Sequence, residues 1–286
     1  MTGGPDGDER RRTEVSSDVR RTDVRGAELE HERRGSGPTL LWGHGLTSSR
    51  ADERTPPALI DWDRAAESLD VIRYDARGHG RSGYTSDPAG YGWDALALDQ
   101  LALADHLDLG RVVVGGASMG AGTALHVAVR APERVAALVL VIPPTAWGNR
   151  REQVSSYERM AELIDGGRLD AVLAAGRLVA PPDPFVDLDG WHDRAAERLQ
   201  AFEPARLAGL FRGAATADLP PPEAVAAIDV PALILAWTGD PGHPIATADR
   251  LAELLPLAEV HRASTRDEFA TWTDRLLGFV AGLRAC

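Results

Sequence analysis

The residues best placed to do chemistry lie in Gly116-Ala117-Ser118-Met119-Gly120. This G-x-S-x-G pattern follows the β-branched run at 111–115 and opens an amphipathic stretch, 119–130, that stops before Pro132. Between a strand and a helix, such a pattern makes a sharp, strained turn that pushes the serine hydroxyl outward. The hydroxyl then stands at a helix amino terminus, where unpaired N–H groups and the helix dipole favour developing negative charge. Ser118 is therefore expected to be a nucleophile rather than an ordinary helix-capping serine. A second candidate is Asp240, which follows an apolar run and precedes Pro241, where the chain must turn. A carboxylate in that position can hold an imidazole in one tautomer and stabilise its charged form. Asp229 lies at the opposite end of the same run, away from the expected crevice.

These groups need elements to position them. Short β-branched runs alternate with longer amphipathic stretches, which predicts an α/β fold: a mostly parallel twisted sheet with helices on both faces. Strands are expected at 26–33, 38–42, 69–74, 111–115, 135–142, 230–237 and 258–263, the first of them in an antiparallel edge hairpin with a strand before it. Helices are expected at 94–107, 119–130, 247–255 and 267–283. The interval 145–221 breaks the alternation with helix-like pieces at 151–164 and 169–179, a cluster of Pro181, Pro182 and Pro184, and scattered aromatic residues. It reads as a helical cap over the carboxyl end of the sheet, where open α/β sheets bind ligands. The expected division is a disordered tail at 1–12, a core at 13–144 and 222–286, and a cap at 145–221.

Composition limits the partners. The chain has 286 residues and a formal net charge of −12, with every basic residue an arginine. An acidic chain is repelled by nucleic acid and by anionic membranes, so neither is expected as a partner. The lone cysteine, Cys286, cannot close an intramolecular disulfide or anchor a cysteine metal cluster. Metal-ligand spacing of the H-E-x-x-H kind and a phosphate-binding loop are both missing, so no cofactor and no metal are implied. Polar residues lead the chain and the apolar runs are short, so a cytoplasmic location is expected, with a small-molecule substrate. Oligomeric state leaves no mark on the sequence.

Taken together, the motifs resemble those of the α/β-hydrolase superfamily, in particular its small, lidded bacterial members, from about residue 26 to residue 283. Trp42-Gly43-His44-Gly45-Leu46 is similar to the family's HG loop, and Tyr74 to Ser82 to its D-x-R-G-x-G-x-S segment. Ser118 falls in the nucleophile elbow and Asp240 in the loop that carries the triad acid. The resemblance implies that the backbone N–H groups of Leu46 and Met119 form the oxyanion hole, with His44 and His79 structural. It also implies a catalytic histidine in a loop after the last strand. Here that strand runs directly into Ser264 and Thr265, which look like a helix cap with acidic residues behind them. His261, inside the strand, is taken as the base. His243, three residues after Asp240, is a rival, although family members carry a histidine there without catalytic duty. His192, beside Trp191, could reach in from the cap.

Three functions follow from these expectations. The first is a hydrolase that cleaves a small carboxylic ester or lactone through an acyl-enzyme on Ser118. The second is a non-hydrolytic member of the fold, a lyase, cyclase or isomerase, motivated by the missing histidine loop. The third is a binding protein that keeps the pocket without turnover. A serine hydroxyl without a base is a weak nucleophile, so the identity of the base decides among them.

Overall fold

In a computed structural model of the protein, residues 18–283 are described. The proposed tail at 1–12 and Cys286 lie outside them. Eight strands form one sheet: β1 (Asp18–Val24), β2 (Ala27–Arg34), β3 (Thr39–Gly43), β4 (Asp70–Tyr74), β5 (Val112–Ala117), β6 (Val135–Val141), β7 (Ala232–Trp237) and β8 (Ala258–Ala263). Their spatial order is β1-β2-β4-β3-β5-β6-β7-β8. β1 and β2 are the expected antiparallel edge hairpin, and β2 also runs antiparallel to β4, while β4, β3 and β5 to β8 are mutually parallel. The hairpin turns on Arg25 and Gly26, both left-handed at φ 51° and 77°, which matches the twist of a two-residue turn.

The helices are α1 (Trp62–Ala66), α2 (Trp93–His106), α3 (Met119–Arg130), α4 (Arg151–Asp165), α5 (Leu169–Gly176), α6 (Trp191–Gln200), α7 (Pro204–Thr216), α8 (Pro222–Ala226), α9 (Ile245–Leu254), α10 (Arg266–Ala270) and α11 (Trp272–Gly282). Central strands are buried on both faces, and alternate residues feed separate cores. On β7, Ala232, Ile234 and Ala236 join a core with Leu96 of α2, Leu125 of α3 and Leu251 of α9. Leu233, Leu235 and Trp237 join the opposite core with Trp62 of α1 and Trp272 and Leu276 of α11. This two-residue alternation explains why such strands read as unbroken apolar runs.

Between β6 and β7 the chain builds α4 to α7 around a small core of its own, with Ile164, Val172, Leu207 and Phe211 at its centre. Both ends of this segment are tied to the sheet domain through Arg150. Its buried guanidinium donates to the carbonyls of Thr145 (3.1 Å), Ala214 (2.7 Å) and Ala217, and lies 4.3 Å from the centre of the Trp93 ring.

One helical expectation is filled out and one is corrected. The segment 191–216 holds two helices, α6 and α7, that the interrupted pattern concealed. The single helix expected at 267–283 is split at Thr271, whose hydroxyl donates to the carbonyl of Glu268 at 2.7 Å and competes with the helical ladder. Among the described residues no helix is long and apolar enough to cross a membrane.

Candidate functional site

Ser118 sits between β5 and α3 with φ 51° and ψ −108°, a strained backbone for a residue with a side chain. The flanking glycines make this turn possible. A Cβ on Gly120 would lie 2.0 Å from the carbonyl oxygen of Gly43, and one on Gly116 would lie 2.4 Å from the carbonyl carbon of Gly120. Close packing of α3 against β3 and β5 therefore demands glycine at both positions of the motif. The Ser118 hydroxyl faces a cavity of about 420 Å³ that is also bordered by Leu46, Ile142, Trp191, Asp240 and His243.

Its nearest partner is His243. Ser118 Oγ lies 2.8 Å from His243 Nε2, and His243 Nδ1 lies 2.7 Å from Asp240 Oδ2. Asp240 holds its carboxylate with three donors: His243 Nδ1–H and the Trp237 indole N–H (2.9 Å) on Oδ2, and the Gly242 backbone N–H (2.8 Å) on Oδ1. Burial alone would raise the Asp240 pKa, but the charge and hydrogen bond of His243, with the Gly242 and Trp237 bonds, outweigh it and bring it down to about 2. A carboxylate cannot donate, so Nδ1 of His243 carries the proton and Nε2 is left with a lone pair toward the serine hydroxyl.

The local sequence explains how one loop supplies both groups. The His243 backbone N–H donates to the Asp240 carbonyl at 3.2 Å, closing a turn over Asp240-Pro241-Gly242-His243. Proline at its second position and glycine at its third are the residues such turns favour. Pro244 then precedes the first residue of α9, and the Gly242 carbonyl accepts from the Thr145 N–H at 3.2 Å, which anchors the loop to the segment after β6.

His261, taken from the sequence as the base, is not brought to Ser118. It lies within β8, opposite Leu235 in the register and two residues short of the strand's end. Its pKa is lowered by partial burial and by Arg275, against the pull of Glu259. β8 then passes into Ser264 and the capping box of α10: the Glu268 N–H donates to Thr265 Oγ1 (3.2 Å), and the Thr265 N–H donates to the Glu268 carboxylate (3.1 Å). The strand-to-helix joint is occupied by a cap, as the acidic residues behind it predict. His192 is turned elsewhere, with Nε2 2.8 Å from the Val179 carbonyl. The signal that marks His243 is its separation of three residues from Asp240 across a Pro-Gly turn, which puts both side chains on the same side of the loop.

His44 and His79 support the site from below. His44 Nδ1–H donates to the Gly45 carbonyl (2.8 Å), and its Nε2 accepts the Ala76 N–H (3.0 Å), so both ring atoms are committed to holding the loop after β3. Burial lowers the pKa of both histidines. His79 packs edge-on against His44 and Phe202, at 4.9 and 6.0 Å between ring centres. The loop held in this way runs beside the elbow: a Cβ on Gly45 would lie 3.7 Å from Ser118 Cβ. Leu46, the next residue of this loop, borders the same cavity as Ser118, and Met119 follows Ser118 in the chain. Met119 opens α3, so its N–H has no intrahelical acceptor. Among the described residues there is no group of three or more His, Cys, Asp or Glu side chains that could hold a metal.

Known proteins share this architecture. Residues 38–274 match the family model described as the alpha/beta hydrolase fold. The chain is 34% identical over 226 residues to a non-heme chloroperoxidase of Streptomyces lividans, a match covering 70% of this chain and 77% of that protein. It is 30% identical over 190 residues to 3-oxoadipate enol-lactonase 2 of Acinetobacter baylyi, covering 64% and 66%. Alignments with the first curated relatives span 36%, 60% and 66% of those proteins' own lengths, less than two thirds in each case. Among solved structures, the enol-lactonase from Burkholderia xenovorans has a TM-score of 0.75 at 21% identity, covering 93% of this chain and 100% of that one. The esterase RhEst1 from a Rhodococcus species has a TM-score of 0.71 at 20% identity, covering 93% and 99%. With the sheet order, the glycine-flanked elbow and a family match over most of its length, the chain belongs to the α/β-hydrolase fold family.

Proposed function

We propose that the protein is a serine hydrolase of a small carboxylic ester or lactone, with Ser118, His243 and Asp240 as its catalytic triad. The observation that carries this reading is the unbroken chain of contacts from Ser118 Oγ through the two ring nitrogens of His243 to Asp240, at 2.8 and 2.7 Å. In the reaction, His243 Nε2 takes the Ser118 proton as Oγ attacks the substrate carbonyl carbon. The carbonyl oxygen becomes an oxyanion that the backbone N–H groups of Leu46 and Met119 stabilise, by about 3–4 kcal/mol for each well-placed donor. The C–O bond to the alcohol then breaks and the leaving oxygen takes the proton from His243. Water, deprotonated by His243, attacks the acyl-enzyme, the acid departs and Ser118 recovers its proton. In a lactone the alcohol and the acid are two ends of one product.

The segment 145–221 acts as a cap over this reaction, with α6 forming one wall of the cavity through Trp191, Arg194 and Arg198. The position of His243 beside Ser118 supports the hydrolytic reading over a non-hydrolytic one that lacks a base. The test is labelling by a serine-directed fluorophosphonate, with turnover of a short-chain 4-nitrophenyl ester. Both are expected in the native protein and absent in Ser118→Ala. A native protein that neither labels nor turns over would defeat the hydrolase reading.

A further inference from the structure

The cavity that holds Ser118 also receives two cations from the cap. Arg194 and Arg198 stand one turn apart on α6, and both border the cavity. Two like charges four residues apart on a helix repel each other, and a guanidinium withdrawn from water is costly unless an acceptor meets it. Neither arginine is fully met. Arg194 Nη1 donates to the Asp189 carbonyl at 3.2 Å, but its buried Nη2 has no hydrogen-bond partner among the described residues. Arg198 makes no hydrogen bond or ion pair among them either.

Three of the four acids that border the cavity are already engaged. Asp240 is held by His243, Trp237 and Gly242. Both oxygens of Glu53 accept from the Trp42 indole N–H, at 3.0 and 3.1 Å, and Arg73 lies 3.6 Å away. Asp52 accepts the Ser49 hydroxyl at 2.7 Å. Glu197 is exposed to solvent at the rim. Burial lowers the Arg198 pKa, Asp52 draws it back up and Arg194 lowers it again, so its nearest charged neighbours partly cancel. The spare charged donors in the cavity are therefore the two guanidiniums, in a protein whose overall charge of −12 would otherwise repel an anion.

We infer that Arg194 and Arg198 form an anion subsite, and that the natural substrate is an ester or lactone bearing a free carboxylate. The planar fork of a guanidinium matches a carboxylate through paired N–H···O bonds, and one carboxylate between two such groups relieves their mutual repulsion. The inference rests on the hydrolase reading for the reaction, whereas the subsite itself is tested by binding.

The experiment compares 4-nitrophenyl hydrogen glutarate with 4-nitrophenyl pentanoate, which has an acyl chain of equal length and no charge. The native enzyme is expected to prefer the anionic ester in kcat/KM. In Arg198→Gln that preference falls about tenfold or more, mainly through KM, as the loss of a charge-assisted contact predicts. Arg198→Lys keeps the charge without the fork and retains part of the preference. Arg177→Gln removes an equal charge just past the end of α5, where Arg177 pairs with Asp193 at 2.7 Å outside the cavity, and leaves the preference as it was. A preference that is unchanged in Arg198→Gln overturns the inference. Glutarate binding to Ser118→Ala, followed by calorimetry, is read whether or not the enzyme turns over. Binding that disappears in Ser118→Ala/Arg198→Gln supports the subsite, and no binding to Ser118→Ala overturns it, while the fluorophosphonate result alone judges the hydrolase reading.

Discussion

Two neighbouring parallel strands, β7 and β8, end on the same edge of the sheet and are continued differently. β7 gives way to a loop in which a Pro-Gly turn sets Asp240 and His243 side by side, with His243 against Ser118. β8 gives way to a capping box that starts α10 almost at once. Placing a general base requires the distance from ring nitrogen to hydroxyl to be right, whichever strand supplies it. In the proposed triad the acid and the base share one short turn, so their mutual geometry is set by four consecutive residues rather than by the docking of two separate loops. The end of β8 is left to structure. Phe269 of α10 packs against Phe185, Trp237 and Trp272 with ring centres 4.8, 6.5 and 4.9 Å apart.

The largest expected effect is at His243. His243→Ala is expected to lower kcat on a 4-nitrophenyl ester by about 10⁴-fold or more, close to the loss in Ser118→Ala, because members of a triad act as a unit. The double variant should lose little beyond either single one. Turnover in His243→Ala within about tenfold of the native rate would return the search for the base to other residues.

Asp240→Asn comes next, with a fall in kcat of up to about 10⁴-fold, since the amide can present the wrong group to Nδ1 and favour the wrong tautomer. It also carries a pH signature. The Asp240 pKa is lowered from 3.8 to about 2, so the folded protein binds this proton less readily than the unfolded chain. The resulting stabilisation, about 2 kcal/mol, is fully present above pH 4 and is lost as the pH falls toward 2. Denaturant unfolding should show a shallower loss between pH 4 and pH 2 in Asp240→Asn than in the native protein. Parallel curves would remove the carboxylate from that account.

Trp237→Phe tests one more contact at the end of β7. Phenylalanine keeps an aromatic ring beside Trp272, where the two rings stack 5.9 Å apart, but loses the smaller ring of the indole together with the N–H that Asp240 Oδ2 accepts at 2.9 Å. Losing one of three donors that orient the carboxylate is expected to cost about tenfold in kcat, with KM nearly unchanged. An equal change in KM would point to altered packing of the cavity wall, which Trp237 also borders.

Local chemistry determines how much of this was legible. The parallel strands could be read because double burial leaves an unbroken apolar run, and the elbow because two glycines bracket a serine between a strand and a helix. The cap over β8 was legible too, from Thr265 followed by Glu268. Helices α6 and α7 were harder. α6 is short, charged and preceded by three prolines, although Pro204 at the first position of α7, with the Glu203 side chain accepting the Arg206 N–H, is a start signal that periodicity alone passes over. The position of His243 depended on how one turn closes. Whether a side chain three residues from an aspartate reaches a serine 125 positions earlier in the chain is a tertiary fact, fixed by the Thr145 and Trp237 contacts rather than by the loop's own residues.

The smallest expected effects lie on the β8 side, and their size is what gives the comparison its meaning. Thr265→Ala removes a helix cap and should cost about 1 kcal/mol of stability, read as a lower denaturant midpoint. His261→Ala removes a half-exposed strand residue whose charged neighbours are Arg275 and Glu259. Surface changes of this kind shift stability by about 0.5 kcal/mol or less. Neither variant touches the cavity, so kcat and KM on the neutral ester should both stay within about twofold of the native values, since no contact that differs between ground and transition state is lost. A hundredfold fall in kcat for His261→Ala with the fold intact would mean that β8 reaches the reaction after all, and the division of labour between the two strand ends would have to be redrawn.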